Sequence, residues 1–523
     1  CYRIRCEKGN AMTSSPKKIN LVKSMFTVGF WTLLSRIFGF LRDILMASFL
    51  GSGIIAEAFI IAFALPNMFR RFFAEGALNT AFVPMLSKHI KNKKEFKLFA
   101  GNIISWLLIL LIFLVLIAEI FMPQLIIIIA SGFTGSEKFN LSVDYGRIMF
   151  PYIFLISIGS AYGAILNSLG YFGITAAAPI LLNICLILAL LIARHLQFDI
   201  GWAITYAIPI AGILQMVAIA LVCYIRGLLP RIRIPRINPE TKNFLLLAGP
   251  AMLAGGVVQI NLLIGRQISS FFEGAVAWLN YADRIYQLPL GVIGIALGVV
   301  LLPDLSRKFK MKDSQGAEEA IHKAIISSSI FIFPATIAIL IIPHSIIRIL
   351  FERGEFNSID TIFTSQALFI FAFGLPAFVL QKVFSPIFFA NGNTKTPFNF
   401  AVISMLANII ISISLIPFFG FLATAIGTTI SGWIMTGLLI FYSREYRLNL
   451  DKNKMLKKSL SLILLCSLLM GFYLYNVDLY ISKNFESGII KYLSFLFLIL
   501  SSALLYLLLT SLLGLLKFLN FKA

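Results

Sequence analysis

The sequence predicts an all-α polytopic membrane protein of about fourteen transmembrane helices. Hydrophobic residues make up 59% of the 523 residues, well beyond the composition of soluble globular domains. Apolar runs long enough to cross a bilayer as helices recur along the whole chain. Their approximate bounds are 24–49, 54–74, 97–130, 143–168, 174–194, 201–225, 243–272, 278–303, 319–350, 362–390, 396–417, 420–442, 457–475 and 489–516.

Lysines and arginines concentrate in short segments that each follow an even number of apolar runs. The positive-inside rule places such segments in the cytoplasm, which predicts that both termini are cytoplasmic. This distribution in an anionic membrane accounts for the net charge of +21 without a nucleic-acid ligand. The basic segments lie at 17–23, 88–97, 226–242, 307–312 and 444–458.

A weak internal repeat divides the chain into halves. Four short features recur at an offset of about 220 residues, which contains six apolar runs. Because six is even, the two six-helix lobes would share one orientation and be related by a pseudo-two-fold axis along the membrane normal. The matches are Leu65-Pro66 with Leu288-Pro289, Val83-Pro84 with Leu302-Pro303, Pro151 with Pro376, and Asn183 with Asn408.

The repeat sets the predicted domains. An N-lobe covers residues 12–238, a C-lobe 239–446, and a C-terminal helix pair 447–523. The pair either packs peripherally or forms a lipid-lined groove. Residues 1–11 precede Met12 and are expected to be an upstream extension or expression remnant outside the fold.

Charged residues inside the first run point to a polar interior. Ser35, Arg36, Arg42 and Asp43 lie within it, and each charge near the middle of a spanning helix costs about 2.5–3.5 kcal/mol. Arg36 and Asp43 are seven apart and share a helix face, so an internal ion pair is one interpretation. One aspartate cannot neutralise both arginines, and the surplus positive charge predicts an anionic ligand.

The second run carries Glu57 and then Arg70, Arg71 and Glu75 near its cytoplasmic end. Arg71 and Glu75 are spaced as i,i+4 partners. The alternative is that both arginines extend to the lipid headgroups. A proline and a glycine in this stretch predict a bent or broken helix, which a membrane tolerates where the helix lines a cavity.

The second half carries Asp283, Arg284 and Gln287 at the position that corresponds to the second run. Arg266 and Lys382 also fall inside apolar runs, where polar contacts between helices would explain them equally well. Planar guanidinium groups suit bidentate binding of phosphate oxygens. An embedded arginine set therefore favours a phosphate or diphosphate over a cationic drug.

Signatures of soluble enzymes are missing. The four histidines are scattered without metal-ligand spacing, and the sequence has no Walker A loop, dinucleotide-binding glycine motif or nucleophile elbow. We expect a transporter without a cofactor, driven by an ion gradient, the membrane potential or the gradient of its substrate. One alternative is a polyprenyl-phosphate glycosyltransferase, for which Asp360 and Asp478 are isolated candidate acids in outward loops. A multidrug or polysaccharide-lipid exporter is the other.

Five motifs resemble those of the MurJ/MviN family of lipid II flippases, over a likeness that runs from about Met12 to the C-terminus. They are Ser35-Arg36-(x)2-Gly39-Phe40-(x)-Arg42-Asp43, Leu65-Pro66-Asn67-(x)2-Arg70-Arg71-(x)2-Ala74-Glu75-Gly76-Ala77, Ala81-Phe82-Val83-Pro84, Gly163-Ala164-Ile165-Leu166-Asn167 and Tyr281-Ala282-Asp283-Arg284.

This resemblance implies the fold of the multidrug/oligosaccharidyl-lipid/polysaccharide exporters, with a helix pair that forms a groove for the polyprenyl tail. It implies a bacterial inner-membrane protein that moves undecaprenyl-diphosphate-linked disaccharide-pentapeptide between leaflets by alternating access, with peptidoglycan synthases as partners. Arg36, Arg42 and Arg284 would clamp the diphosphate. Supporting cavity residues would be Ser35, Asp43, Glu57, Arg70, Arg71, Glu75, Asn167 and Asp283.

Two positions depart from the family pattern. Glu57 stands where an aspartate is common, and Gln287 where a glutamate is common, so a proton-coupled role does not carry over to Gln287. The run 396–417 holds no acidic residue, so a sodium site in the second lobe is not carried over either.

Overall fold

The computed structural model describes residues 21–72, 78, 81–89, 92–446, 454–484 and 488–519. Within these ranges all regular secondary structure is helical and no strand occurs. The predicted all-α class is confirmed. The chain divides into two compact units, Cys1–Phe271 and Phe272–Ala523.

The first unit contains ten α-helices. Their bounds are α1 Leu21–Leu50, α2 Ile54–Arg70, α3 Val83–Lys88, α4 Lys93–Ile120, α5 Met122–Ala130, α6 Glu137–Met149, α7 Tyr152–Ser168, α8 Gly173–Leu196, α9 Ile200–Ile225 and α10 Pro239–Ser269.

The second unit contains eight α-helices. Their bounds are α11 Ala275–Lys310, α12 Ser314–Ile341, α13 Pro343–Phe351, α14 Ser358–Ala390, α15 Lys395–Phe419, α16 Leu422–Ser443, α17 Lys454–Asn484 and α18 Gly488–Leu512. The predicted C-terminal pair corresponds to α17 and α18, which pack on each other, and α17 also packs on α12.

Ten spans in the described residues are long and apolar enough to cross a membrane. They are α4, the continuous stretch of α6 and α7, α8, α9, α12, α14, α15, α16, α17 and α18. The chain is therefore a multi-pass membrane protein. The ten do not include α1, α2, α10 and α11, which carry most of the embedded charges, so the count of fourteen stays a prediction.

Both halves repeat one order of elements. The third long helix of each half is followed by a short helix that begins next to a proline, Pro123 in α5 and Pro343 in α13. Proline suits the first turn of a helix because the amide it lacks would have no partner there. By its contacts α10 belongs to the first unit, whereas the repeat places it in the second half, and the predicted boundary at residue 238 stays a prediction.

A matching polar contact ties the second long helix to the fourth in each half. In the first half, Lys138 Nζ of α6 lies 2.5 Å from Glu57 Oε2 of α2. In the second half, Trp278 Nε1 of α11 donates to Asp360 Oδ1 of α14 at 2.7 Å. We call these two contacts the staples. All four residues lie in the first turn of their helices, as the repeat requires.

A core of aliphatic, small and aromatic side chains connects six helices, which are α1, α2, α6, α7, α8 and α9. Tyr145 packs edge-on against Trp202 at a centroid distance of 5.0 Å. Gly201 allows this approach, because a Cβ there would lie 2.1 Å from Tyr145 Oη. The same core includes residues of α1 and α8, and the candidate site lies where these two helices pack on each other.

Candidate functional site

The guanidinium of Arg42 on α1 is held by two side chains. Its Nε and Nη2 donate to Asp43 Oδ1 at 3.0 and 2.6 Å, and its Nη1 donates to Asn183 Oδ1 of α8 at 3.0 Å. Arg42 and Asp43 are 8% and 5% exposed. Asn183 in turn donates to the backbone carbonyl of Ser35 at 3.1 Å, so the amide is oriented from both ends.

Gly39 of the first motif faces Asn183 across the contact between α1 and α8. A Cβ at Gly39 would lie 3.5 Å from Asn183 Nδ2, which is an ordinary van der Waals distance, so an alanine would also fit at this position.

Arg36 is placed differently from Arg42. It lies six residues earlier, which turns its side chain by about 120° around the helix. It is half-buried, and within the described part of the chain its guanidinium makes no hydrogen bond and no ion pair. Arg36 and Asp43 were expected to share a helix face, but they form no ion pair. Asp43 pairs instead with Arg42, its neighbour in the sequence.

The end of α2 lies beside an irregular segment. Arg70 and Arg71 are half-buried, and Arg70 Nε donates to Asn67 Oδ1 at 3.2 Å. Residues 71–72 and 81–82 have π-helical backbone, a feature often found near functional sites. The α-helix runs through Pro66 to Arg70, and because residues 73–77 lie outside the described part of the chain, the expected bend or break stays a prediction. Glu75 lies outside the described residues, and so does its predicted pairing with Arg71.

Glu57 is completely buried in the first staple, and the Lys138 side chain is 14% exposed. Lys138 also lies 5.5 Å from the centroid of the Phe133 ring. In this structure Glu57 joins α2 to α6 and presents no accessible charge. Lys138 was not predicted, because its sequence position places it among loop residues before the fourth apolar run.

In the second unit, Asp283 and Arg284 are half-buried on α11. Asp283 accepts a hydrogen bond from Gln287 one turn further along the helix. The glutamine that departs from the family pattern is thus a donor to Asp283, a role that an ionised glutamate could not fill.

Two other predicted polar residues differ in their surroundings. Asn167 is half-buried, and its Oδ1 is buried without a hydrogen bond from any described residue. Lys382 is exposed on α14. The polar contact between helices at this place is made by its neighbour Gln381, which donates to the Gly432 carbonyl of α16 at 2.9 Å.

The isolated acids proposed for a glycosyltransferase have structural roles. Asp360 caps α14 in a capping box with Asn357 and also forms the second staple. Asp478 accepts a hydrogen bond from Ser345 at 2.8 Å, which links α17 to α13. Among the described residues, no three His, Cys, Asp or Glu side chains cluster in a way that could hold a metal ion.

The two arginines of α1 therefore differ. Arg42 is paired with Asp43 and oriented by Asn183 of α8, whereas Arg36 has no ion pair among the described residues. Three of the five N–H groups of Arg42 are engaged, so two remain for an outside acceptor. Sequence reasoning had marked Asn183 only as part of the repeat. A lone amide inside an apolar helix was the signal that could have assigned it to the site.

The chain is similar to the proteins of one family over most of its length. The profile of the family described as "Lipid II flippase MurJ" matches residues 46–496. The "Probable lipid II flippase MurJ" of Rhizobium tropici is 40% identical over 475 residues, which cover 90% of this chain and 88% of the relative. The protein of the same name from Rickettsia prowazekii is 39% identical over 457 residues, 87% of this chain and 89% of the relative.

Two solved structures share the fold. The structure "Lipid II flippase MurJ, inward closed conformation" aligns with a TM-score of 0.79 at 27% identity and covers 93% of this chain and 98% of its own. An inward-facing multidrug transporter of the MATE family aligns with a TM-score of 0.68 at 17% identity, over 83% of this chain and 99% of its own, which shows a common fold only.

Proposed function

Since the chain belongs to the MurJ family of lipid II flippases, we propose that it moves undecaprenyl-diphosphate-linked disaccharide-pentapeptide from the inner to the outer leaflet by alternating access. The chain is a transporter rather than an enzyme. This function agrees with the structural roles of buried Asp360 and half-buried Asp478, which leave the glycosyltransferase alternative without its two candidate acids.

We propose that Arg36 and Arg42 bind the diphosphate, while the part expected for Arg284 in the second unit stays a prediction. The observation that carries this is the unequal state of the two arginines on α1. Arg42 is fixed by Asp43 and Asn183, whereas Arg36 keeps a half-buried charge without an ion pair among the described residues. A diphosphate supplies the missing negative charge, and a guanidinium can bind it with two parallel hydrogen bonds.

The membrane setting is part of the proposal. The basic segments support cytoplasmic termini in the bacterial inner membrane. Peptidoglycan synthases would receive the transported lipid, and the groove of α17 and α18 would hold the polyprenyl tail. The membrane potential is one candidate energy source, because one charge that crosses 100 mV gains about 2.3 kcal/mol.

The experiment replaces single arginines in a cell whose own flippase is depleted. Exposure of the lipid-linked precursor on the outer leaflet is measured together with the amount of protein in the membrane. Arg36→Ala should abolish flipping, Arg36→Lys should retain part of it, and Lys310→Ala should behave as wild type because Lys310 is an exposed cation at the end of α11. If Arg36→Ala and Arg42→Ala are both stably inserted and flip at the normal rate, the arginine site is wrong.

A further inference from the structure

The connection between α9 and α10, residues 226–238, has an unusual surface, and we call it the strap. Between residues 231 and 237 three arginines and three isoleucines alternate, and all six are exposed. The isoleucines are 63%, 88% and 75% exposed, in chain order. These residues are Arg231, Ile232, Arg233, Ile234, Arg236 and Ile237.

The backbone of the strap is fixed to the N-terminal half of α4. Arg236 N–H donates to Asn102 Oδ1 at 2.7 Å, and Asn102 Nδ2 donates back to the Arg236 carbonyl at 2.8 Å. Arg233 N–H donates to Ser105 Oγ at 3.1 Å. The Arg231 carbonyl lies 2.5 Å from the position that a Cβ on residue 101 would occupy, so the strap can lie against α4 here only because this residue is Gly101. Main-chain groups thus hold the strap in place.

Positive charge gathers around the strap. Lys93 Nζ lies 3.4 Å from the Cβ position of Gly227, and Lys97 interacts repulsively with both Lys93 and Arg231. The nearby acids are engaged elsewhere. Glu240 lies 3.2 Å from His89, and Glu95 is hydrogen-bonded to Asn92. Like charges held close together create a positive potential that attracts an external anion.

We propose that the strap is a binding site for anionic phospholipids of the leaflet that it faces. The strap joins the ends of two apolar helices, where a membrane protein meets the headgroup region. In that region aliphatic side chains enter the acyl boundary, while arginines reach the phosphates. The net positive charge selects anionic over zwitterionic headgroups. This site is separate from the proposed diphosphate site on α1 and does not depend on flipping activity.

The test uses the purified full-length protein in detergent, with phosphatidylglycerol or phosphatidylcholine added. Bound lipids are counted by native mass spectrometry, and the melting temperature is recorded at each lipid concentration. Wild type should bind and be stabilised by phosphatidylglycerol in preference to phosphatidylcholine. The Arg231→Ser/Arg233→Ser variant should bind phosphatidylglycerol about thirtyfold more weakly, with an unchanged melting temperature in the absence of lipid.

The matched control removes two exposed cations from the ends of other helices, Lys310→Ser/Lys395→Ser, and should bind as wild type. Ile232→Ser/Ile234→Ser should lose affinity for both lipids while it keeps the preference for the anionic one. The proposal is overturned if wild type shows no preference, if the arginine variant binds as wild type, or if the control loses as much affinity as the arginine variant. Binding of a soluble protein but of no lipid would equally overturn it.

Discussion

Replacement of Lys138 by methionine should destabilise the protein strongly. Glu57 is fully buried in the first staple, so the substitution leaves a carboxylate without its counter-charge in the interior. Removal of one member of a buried ion pair costs about 3–5 kcal/mol. Replacement of both members, Glu57→Gln with Lys138→Met, removes the charge imbalance and should leave the stability near that of wild type.

The geometry supports this magnitude. At 2.5 Å the attraction between the two charges is about 7 kcal/mol at an effective dielectric constant of about 20, and the cost of removing both groups from water offsets most of it. The pair therefore contributes little net energy, whereas either charge alone is expensive. The single and double variants must consequently be strongly non-additive.

The assay is unfolding of the purified variants in detergent, with the exposed Lys310→Met as the control. Lys138→Met should unfold at much lower denaturant concentration, and Lys310→Met should match wild type. A loss below about 1 kcal/mol for Lys138→Met, the size typical of an exposed pair, would refute the reasoning. So would a double variant that is as unstable as the single one.

Three further predictions test the contacts of the first unit. Gly132→Val places a Cβ 2.5 Å from the Ser270 carbonyl and should cost about 1–3 kcal/mol in thermal unfolding, and an unchanged melting temperature would contradict this. Asn183→Leu removes the acceptor of Arg42 and should lower precursor flipping at a normal membrane level of the protein, whereas normal flipping would show that this hydrogen bond is dispensable. Asp43→Asn keeps the shape but removes the charge beside Arg42, and should cost about 2 kcal/mol of unfolding free energy, an effect that an unchanged denaturation midpoint would exclude.

The sequence was sufficient for the fold class because a bilayer imposes the length of each helix. The run predicted at 24–49 corresponds closely to α1, Leu21–Leu50. The run predicted at 97–130 is two helices, since the chain breaks at Phe121 before Pro123. Hydropathy alone counts this stretch as continuous, because the break changes no apolar residue into a polar one.

The site was less predictable, because its contacts join residues far apart in the chain. The bond from Arg42 to Asn183 joins α1 to α8, and helix periodicity within α1 cannot reveal it. The helix spacing placed Arg36 and Asp43 on one face, whereas in the structure Asp43 pairs with Arg42. The partner of Glu57 was missed for the same reason, since Lys138 lies four helices further along the chain.

The two staples limit which helices could be exchanged between the two halves of the chain. The carboxylate of the contact belongs to α2 in one half, as Glu57, and to α14 in the other, as Asp360. An exchange of α2 with α11 would therefore place two carboxylates against each other in one half and the Trp278 indole against the Lys138 ammonium group in the other. The two halves share the position of the contact but not its chemistry, which is complementary only within each half, so equivalent helices cannot be exchanged.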